Sequence, residues 1–328
     1  MRQLQFYEEL KEKKEKQIIP LWAATVLEGK KAGQKKLFQD EKAVSAFREN
    51  QEAPVFVEKL GQSPKLLICG GGHVSVPVIR MGKMLSFSVI VLEDRPKFAD
   101  HARAAGADQV ICAPFEETLK NWILDQDTYV VIVTRGHRYD EECLHAVLAG
   151  KTACAYVGMM GSRRRTMMVR TKMEQLGMER ERIQSVHAPI GLAIQAQTPE
   201  EIAVSIMAEI IQVKNRDHRT QGYPEELMDA IFASVHKKEK AVLATIVSRQ
   251  GSAPRETGTK MLMKEDGMTV GTIGGGCAES AVIKKALLMM RMEDQPDFIL
   301  VDVDMTAREA EEEGMVCGGR IRVMLEKI

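Results

Sequence analysis

The chain has 328 residues, 45% of them hydrophobic, and its 46 basic and 46 acidic side chains cancel. Such a composition supports two or three globular domains and supplies no field to gather nucleic acid or an anionic membrane. No apolar run reaches the ~18 residues of a membrane span, and the charged start, MRQLQFYEELKEKKEKQ, lacks the apolar stretch of a signal peptide. The expectation is a cytoplasmic protein with neither nucleic acid nor membrane as partner.

Residues 1–60 read as a charged helix near residues 6–16, a β-like run from Leu21 to Leu27 and a turn rich in glycine and lysine. A helix near residues 41–48 and a strand from Pro54 to Leu60 follow. By itself this segment is too small for a robust core and should pack on something else.

From Lys65 the pattern changes. The run Leu66 to Cys69 stops at Gly70, Gly71 and Gly72. Val74, Val78, Met81 and Leu85 then recur at helical spacing, and a second β-rich run, Phe87 to Leu92, ends in Glu93 and Asp94. Strand, glycine turn, helix, strand and acid make the layout of a dinucleotide-binding unit. Glycines admit a pyrophosphate to the helix N-terminus, and the acid accepts a bond from a ribose hydroxyl. The match is incomplete: Ser75 stands where the third glycine belongs, and His73 where a small residue is usual.

Runs at residues 109–113, 129–134 and 153–158 alternate with helical segments. They extend the unit to an α/β fold with a Rossmann-like, doubly wound parallel sheet over residues 65–215. Ligands of such sheets bind beyond the carboxyl ends of the strands. Gly70 to His73, Thr134 to His137 and Gly158 to Arg165 fall there. In the last of these, Gly161 and Ser162 should cap a helix that begins with Arg163, a set of amides, hydroxyl and guanidinium suited to an anion. Thr198 to Glu201 starts a further helix, and the polar run at residues 215–224 is the expected boundary.

Residues 225–328 read as a smaller α+β domain: a helix over residues 225–236, a strand over 241–247 and three glycine-rich elements. The first is QGSAPRETG (Gln250 to Gly258), and the second is GTIGGGC (Gly271 to Cys277), leading into a helix. After a strand at residues 298–303 and an acidic helix near 308–313, the third, CGG (Cys317 to Gly319), leads into a strand at 320–326. Cys277 should lie where a glycine loop meets a helix, so that helix-terminal amides favour its thiolate. A thiolate is a soft metal ligand, and Gly274, Gly275 and Gly276 allow a bulky ligand or a phosphate to approach the backbone. Cys317, before two glycines, could face the same ligand. Cys69, Cys112, Cys143 and Cys154 read as small core residues, and no CxxC or HxxxH spacing supports structural zinc.

The two ends of the chain echo one another. EKKEKQIIPLWAATVLEG (Glu12 to Gly29) lines up with HKKEKAVLATIVSRQG (His236 to Gly251), and PVFVEKL (Pro54 to Leu60) with RVMLEKI (Arg322 to Ile328). Residues 1–60 are therefore expected to be a degenerate, partial copy of the small domain that has kept scaffold and lost the glycine loops.

Together, GSAPR (Gly251 to Arg255), GGGC (Gly274 to Cys277) and CGG resemble the small-domain motifs of the XdhC/CoxI family. The turn at Gly70 to His73, EDRP (Glu93 to Pro96), GMMGSRR (Gly158 to Arg164) and HAPIGL (His187 to Leu192) resemble its Rossmann-domain motifs. The resemblance implies a homodimeric accessory protein that binds molybdenum cofactor (molybdopterin). It would present the cofactor to a cysteine desulfurase for sulfuration and insert it into a xanthine dehydrogenase-type molybdenum hydroxylase, acting as a chaperone without turnover of its own. Gly70, Gly72, His73, Asp94, Gly161, Ser162 and Arg163 would bind in one domain, and Gly274, Gly275, Gly276, Cys277 and Cys317 in the other. Cys277 would be the reactive residue and a molybdenum ligand. The domain order departs from the family's, whose small domain usually comes first. Two other readings stay open: an NAD(P)-dependent oxidoreductase with Asp94 on the ribose, and a redox regulator in which Cys277 and Cys317 form a disulfide.

Overall fold

The computed structural model describes residues 2–16, 18, 21–61, 64–150, 152–216, 222–251, 253, 255–292, 294–304 and 319–328. The acidic helix expected near residues 308–313 and Cys317 lie outside them. Contacts divide the chain into two compact units, Ser63–His218 and the two chain ends, Met1–Gln62 with Arg219–Ile328.

From the N-terminus the chain forms α1 (Arg2–Glu15), β1 (Leu21–Val26), β2 (Lys35–Phe38), α2 (Glu41–Glu49) and β3 (Val55–Leu60). The middle unit follows with β4 (Lys65–Cys69), α3 (Ser75–Met84), β5 (Ser88–Glu93), α4 (Pro96–Ala104), β6 (Gln109–Cys112) and α5 (Phe115–Lys120). It continues with β7 (Thr128–Ile132), α6 (His137–Ala149), β8 (Tyr156–Met159), α7 (Arg163–Gln175), α8 (Arg180–Gln184) and α9 (Pro199–Arg216). The chain closes with α10 (Glu225–Lys237), β9 (Ala241–Gln250), β10 (Lys260–Lys264), β11 (Thr269–Gly271), α11 (Gly276–Arg291), β12 (Phe298–Asp304) and β13 (Arg320–Lys327).

The middle unit is a five-stranded sheet in the order β6-β5-β4-β7-β8, parallel throughout. Its strands are continuous apolar runs because both faces are covered. Successive residues point to opposite faces. Leu67, Cys69, Leu92, Val130 and Ile132 meet Cys143, Leu144 and Val147 of α6. On the other side Leu66, Ile68, Val89 and Val131 meet Val78 and Ile79 of α3 and Ile206 and Ile210 of α9. Cys69 and Cys143 are buried as expected, whereas Cys112 is exposed, because it ends the edge strand β6.

The unit made from the chain ends holds two antiparallel sheets, β2-β1-β3 and β11-β10-β9-β13-β12. Each contains a central strand flanked by the next strand and by a later one, with a helix before the first strand and another before the last. The registers agree as well. Thr25 lies opposite Lys35 and Ala23 opposite Glu58, as Thr245 lies opposite Lys260 and Leu243 opposite Glu326. One face of β9, β10 and β13 packs on α11 through Val242, Ala244, Met261, Val323, Val282 and Met289. The other face shares a core with the first sheet: Leu21, Ala23, Leu37 and Leu60 on one side, Ala241, Leu243, Leu262 and Ile328 on the other. Phe6, Tyr7 and Leu10 of α1, together with Leu227 and Ile231 of α10, fill the same core.

Candidate functional site

In the middle unit, β4 delivers Gly70, Gly71 and Gly72 to its carboxyl end. The three glycines serve different ends. Gly70 has φ +116°, and a Cβ there would stand 2.5 Å from the Val133 carbonyl oxygen. A Cβ on Gly71 would stand 2.6 Å from the Phe98 carbonyl oxygen. Both are demanded by packing. Among the described residues, a Cβ on Gly72 would meet nothing within 4 Å, so packing does not demand that glycine. Ser75, in the position of the third fingerprint glycine, is buried and its hydroxyl donates to the Gly70 carbonyl at 2.6 Å. It locks the turn from inside. His73 is exposed.

The two acids ending β5 divide their work. Glu93 is fully buried, accepting from the Gly71 amide at 2.6 Å and from the Arg95 Nε at 2.8 Å. Asp94 reaches outward to the loop after β7, where both its oxygens accept from the Arg135 guanidinium. Arg135 holds the Asp94 carboxyl below the usual carboxylate range. Each arginine is braced on a ring: Arg95 lies 3.7 Å above Phe98 and Arg135 3.9 Å above Tyr139.

Beyond β8, the Ser162 hydroxyl accepts from the Arg165 amide at 3.3 Å and caps α7. Arg163 and Arg164 are exposed, while Arg165 turns inward and pairs with Asp140, which is 1% exposed. The Thr134 hydroxyl donates to the same carboxylate. Gly70 to Gly72, Asp94 and Gly161 to Arg163 thus all stand at the carboxyl ends of one parallel sheet. Arg135, Asp140 and Glu93 tie the loops together, and of the three only Glu93 stood out in the sequence, as the end of a β-rich run and the start of EDRP. Arg135 lies in the TRGH stretch that sequence placed at a strand end; Asp140 read only as a helix residue. HAPIGL has a structural part. His187 bridges in parallel to Gly158, and Glu209 of α9 takes the His187 Nδ1 at 3.1 Å, the Tyr156 hydroxyl at 2.6 Å and the Gly191 amide at 2.9 Å.

In the other unit, Gly274, Gly275 and Gly276 have φ of +128°, +74° and +63°, a run of left-handed backbone that side chains rarely adopt. Glu279, in the first turn of α11, organises the loop. Its Oε2 accepts from the Ile273 amide at 3.3 Å, the Gly275 amide at 3.0 Å and the Thr272 hydroxyl at 2.6 Å. Among the described residues, a Cβ on Gly275 would meet nothing within 4 Å. The result is bare backbone held open at the head of a helix. Cys277 belongs by its backbone to the first turn of α11, where amides lack intrahelical acceptors. Its side chain lies outside the described part of the chain. Among the described residues, no group of three or more metal-ligating side chains gathers, and no helix is long and apolar enough to cross a membrane.

A Rossmann domain joined to a small antiparallel domain with a glycine loop defines the class of protein. The family model described as the XdhC Rossmann domain matches residues 66–210, and that of the XdhC and CoxI family matches residues 234–303. Together they span more than half of the chain, which belongs to the XdhC/CoxI family. A protein of Bacillus subtilis described as a probable subunit of xanthine dehydrogenase is 30% identical over 167 residues, 51% of this chain and 48% of that protein. A molybdenum cofactor insertion chaperone, PaoD of Escherichia coli, is 31% identical over 121 residues, 34% of this chain and 32% of that one. The chain therefore spans less than half the length of these curated relatives. A crystal structure described as a xanthine dehydrogenase from Bacillus halodurans shares the fold, with a TM-score of 0.52 and 24% identity over 68% of this chain and 66% of that one.

Proposed function

We propose that this protein is an accessory factor that binds molybdenum cofactor as cargo, supports its sulfuration by a cysteine desulfurase and inserts it into a xanthine dehydrogenase-type hydroxylase. The observation that carries this reading is the GGGC loop. Three left-handed glycines expose backbone without side chains, a Cβ on Gly275 would meet none of the described residues within 4 Å, and Cys277 follows in the first helical turn. A broad pterin would lie against this main chain, with the first-turn amides of α11 for its phosphate and Cys277 as the soft ligand for its metal. The family and the name of the insertion chaperone relative support the same cargo. Gly274, Gly275, Gly276, Cys277 and Cys317 would hold the cofactor. In the Rossmann-like unit Gly72 has the room to approach a ligand, beside Asp94, Gly161, Ser162 and Arg163. The NAD(P)-dependent alternative needs Asp94 for a ribose, and Asp94 is engaged through both oxygens by Arg135.

Cys277→Ser keeps the size of the side chain and removes the soft ligand. Protein purified without oxygen should fold normally, retain several-fold less molybdenum than wild type and fail to activate its hydroxylase. Wild-type molybdenum content and partner activation in the variant would sink the thiolate role. Steady nicotinamide turnover by wild type without bound pterin would sink the accessory reading.

A further inference from the structure

The unit made from the chain ends contains two charged pairs inside its core, and they cross from one sheet to the other. Lys35 of β2 reaches Glu326 of β13, with side chains 3% and 0% exposed. Lys260 of β10 reaches Glu58 of β3 at 2.5 Å, with side chains 1% and 4% exposed. By strand register Lys35 is the counterpart of Lys260, since each stands opposite the equivalent threonine, Thr25 or Thr245. Glu58 is likewise the counterpart of Glu326, opposite Ala23 and Leu243. Position i of the first copy therefore meets position j of the second, and j of the first meets i of the second. That reciprocity is the signature of an isologous, two-fold contact. The apolar residues between the pairs obey it too: Leu21 and Ala241, Ala23 and Leu243, Leu37 and Leu262, Leu60 and Ile328 all line the shared core. Two unrelated segments that happened to pack would have no reason to match residue for residue. The aromatic lining is less symmetric. Tyr7 and Tyr223 meet edge to face at 5.7 Å, and both hydroxyls lie 3.2 Å from the Lys35 Nζ.

We infer that this buried face is a self-association face of the small domain, whose natural partner is a second copy of the same module, and that in this chain residues 1–62 occupy it. Buried lysine–glutamate pairs suit such a contact, because they make wrong registers costly. This inference rests on the geometry of the chain-end unit and stands or falls independently of the cargo.

Full-length chains test it. Lys35→Glu and Glu326→Lys each bury like charges, and each should lower the melting temperature by roughly 10 °C. Placed together in one chain, the two changes restore opposite charges and should recover most of that loss. The decisive experiment co-refolds the two single variants as separate chains. If the N-terminal copies exchange, the introduced carboxylate of one chain meets the introduced ammonium of the other, and the remaining interface regains its wild-type pair. The expected product is a one-to-one heterodimer by native mass spectrometry and sedimentation, with the melting temperature of the double variant. Wild type under the same conditions should give no exchanged dimer. A double variant that recovers beside a mixture that stays monomeric and unstable would overturn the inference. So would a double variant no more stable than either single one, because the crossed pairs would then carry no recognition.

Discussion

The two sheets of the chain-end unit share topology, register and even their buried charges, yet differ in everything that could touch a ligand. In the first, β2 runs into α2 through Asp40, whose carboxylate caps the helix by accepting from the Ala43 amide at 2.7 Å. In the second, the corresponding helix, α11, begins on three left-handed glycines, with Glu279 holding the loop open. One junction closes its helix with an ordinary cap; the other leaves backbone bare. A scaffold of this kind is set by strand pairing and core contacts, and its chemistry by the loop in front of one helix.

The comparison breaks first at the crossed pairs. Lys35→Met and Lys260→Met each strand a carboxylate in the core, and each should cost about 3–5 kcal/mol. Equivalence requires the two losses to agree within about 1 kcal/mol in urea unfolding. A large loss in one and a negligible one in the other would show that the sheets do not play matching parts.

A sharper contrast lies in two lysines that the sequence echo aligns. Lys14 donates to the Tyr223 carbonyl, and burial, helped by the nearby Lys260 charge, pushes its pKa down to about 8. Lys238 is exposed at the end of α10. Between pH 8 and the ordinary lysine range the unfolded chain keeps the Lys14 proton while the folded chain has released it. The unfolded state then binds more protons, so stability rises with pH across that window. Wild type should gain on the order of 2 kcal/mol relative to Lys14→Met between pH 7.5 and 9.5.

The smallest effects fall on the two helix starts. Glu279→Ala should cost about 1–2 kcal/mol and also lower the molybdenum retained, because the glycine loop loses the acceptor for two amides and a hydroxyl. Asp40→Ala should cost about 1 kcal/mol and leave retention unchanged. Equal retention in both variants would remove the functional difference between the two halves.

Much of this was legible in the chain. All five strands of the middle sheet appear as apolar runs, most clearly β4, β5, β7 and β8, where cover on both sides leaves no polar alternation to blur the pattern. The glycine turns were visible as composition. Three strands were not: β2, KKLF, β10, KMLMK, and the short β11, TVG. β2 and β10 begin with the lysines of the crossed pairs, Lys35 and Lys260, and a lysine at a strand start reads as solvent-facing. Its burial depends on a glutamate supplied from the far end of the chain, and no local pattern carries that information. Arg135 escaped for a related reason. Its role follows from Asp94, 41 positions away.

One consequence concerns the order of manufacture. The first 62 residues leave the ribosome well before residues 219–328, yet they share a core with them. At about 5–20 residues per second the early half waits some tens of seconds for its partner. Meanwhile Leu21, Ala23, Leu37 and Leu60 can meet Phe6, Tyr7 and Leu10 but lack the facing sheet, and Lys35 lacks Glu326. The middle sheet is finished during that interval, so the nascent chain carries a folded domain tethered to an unpaired one. Trigger-type ribosomal chaperones or a slowed stretch of translation near the middle of the message would matter more to this protein than to one whose halves are neighbours in sequence.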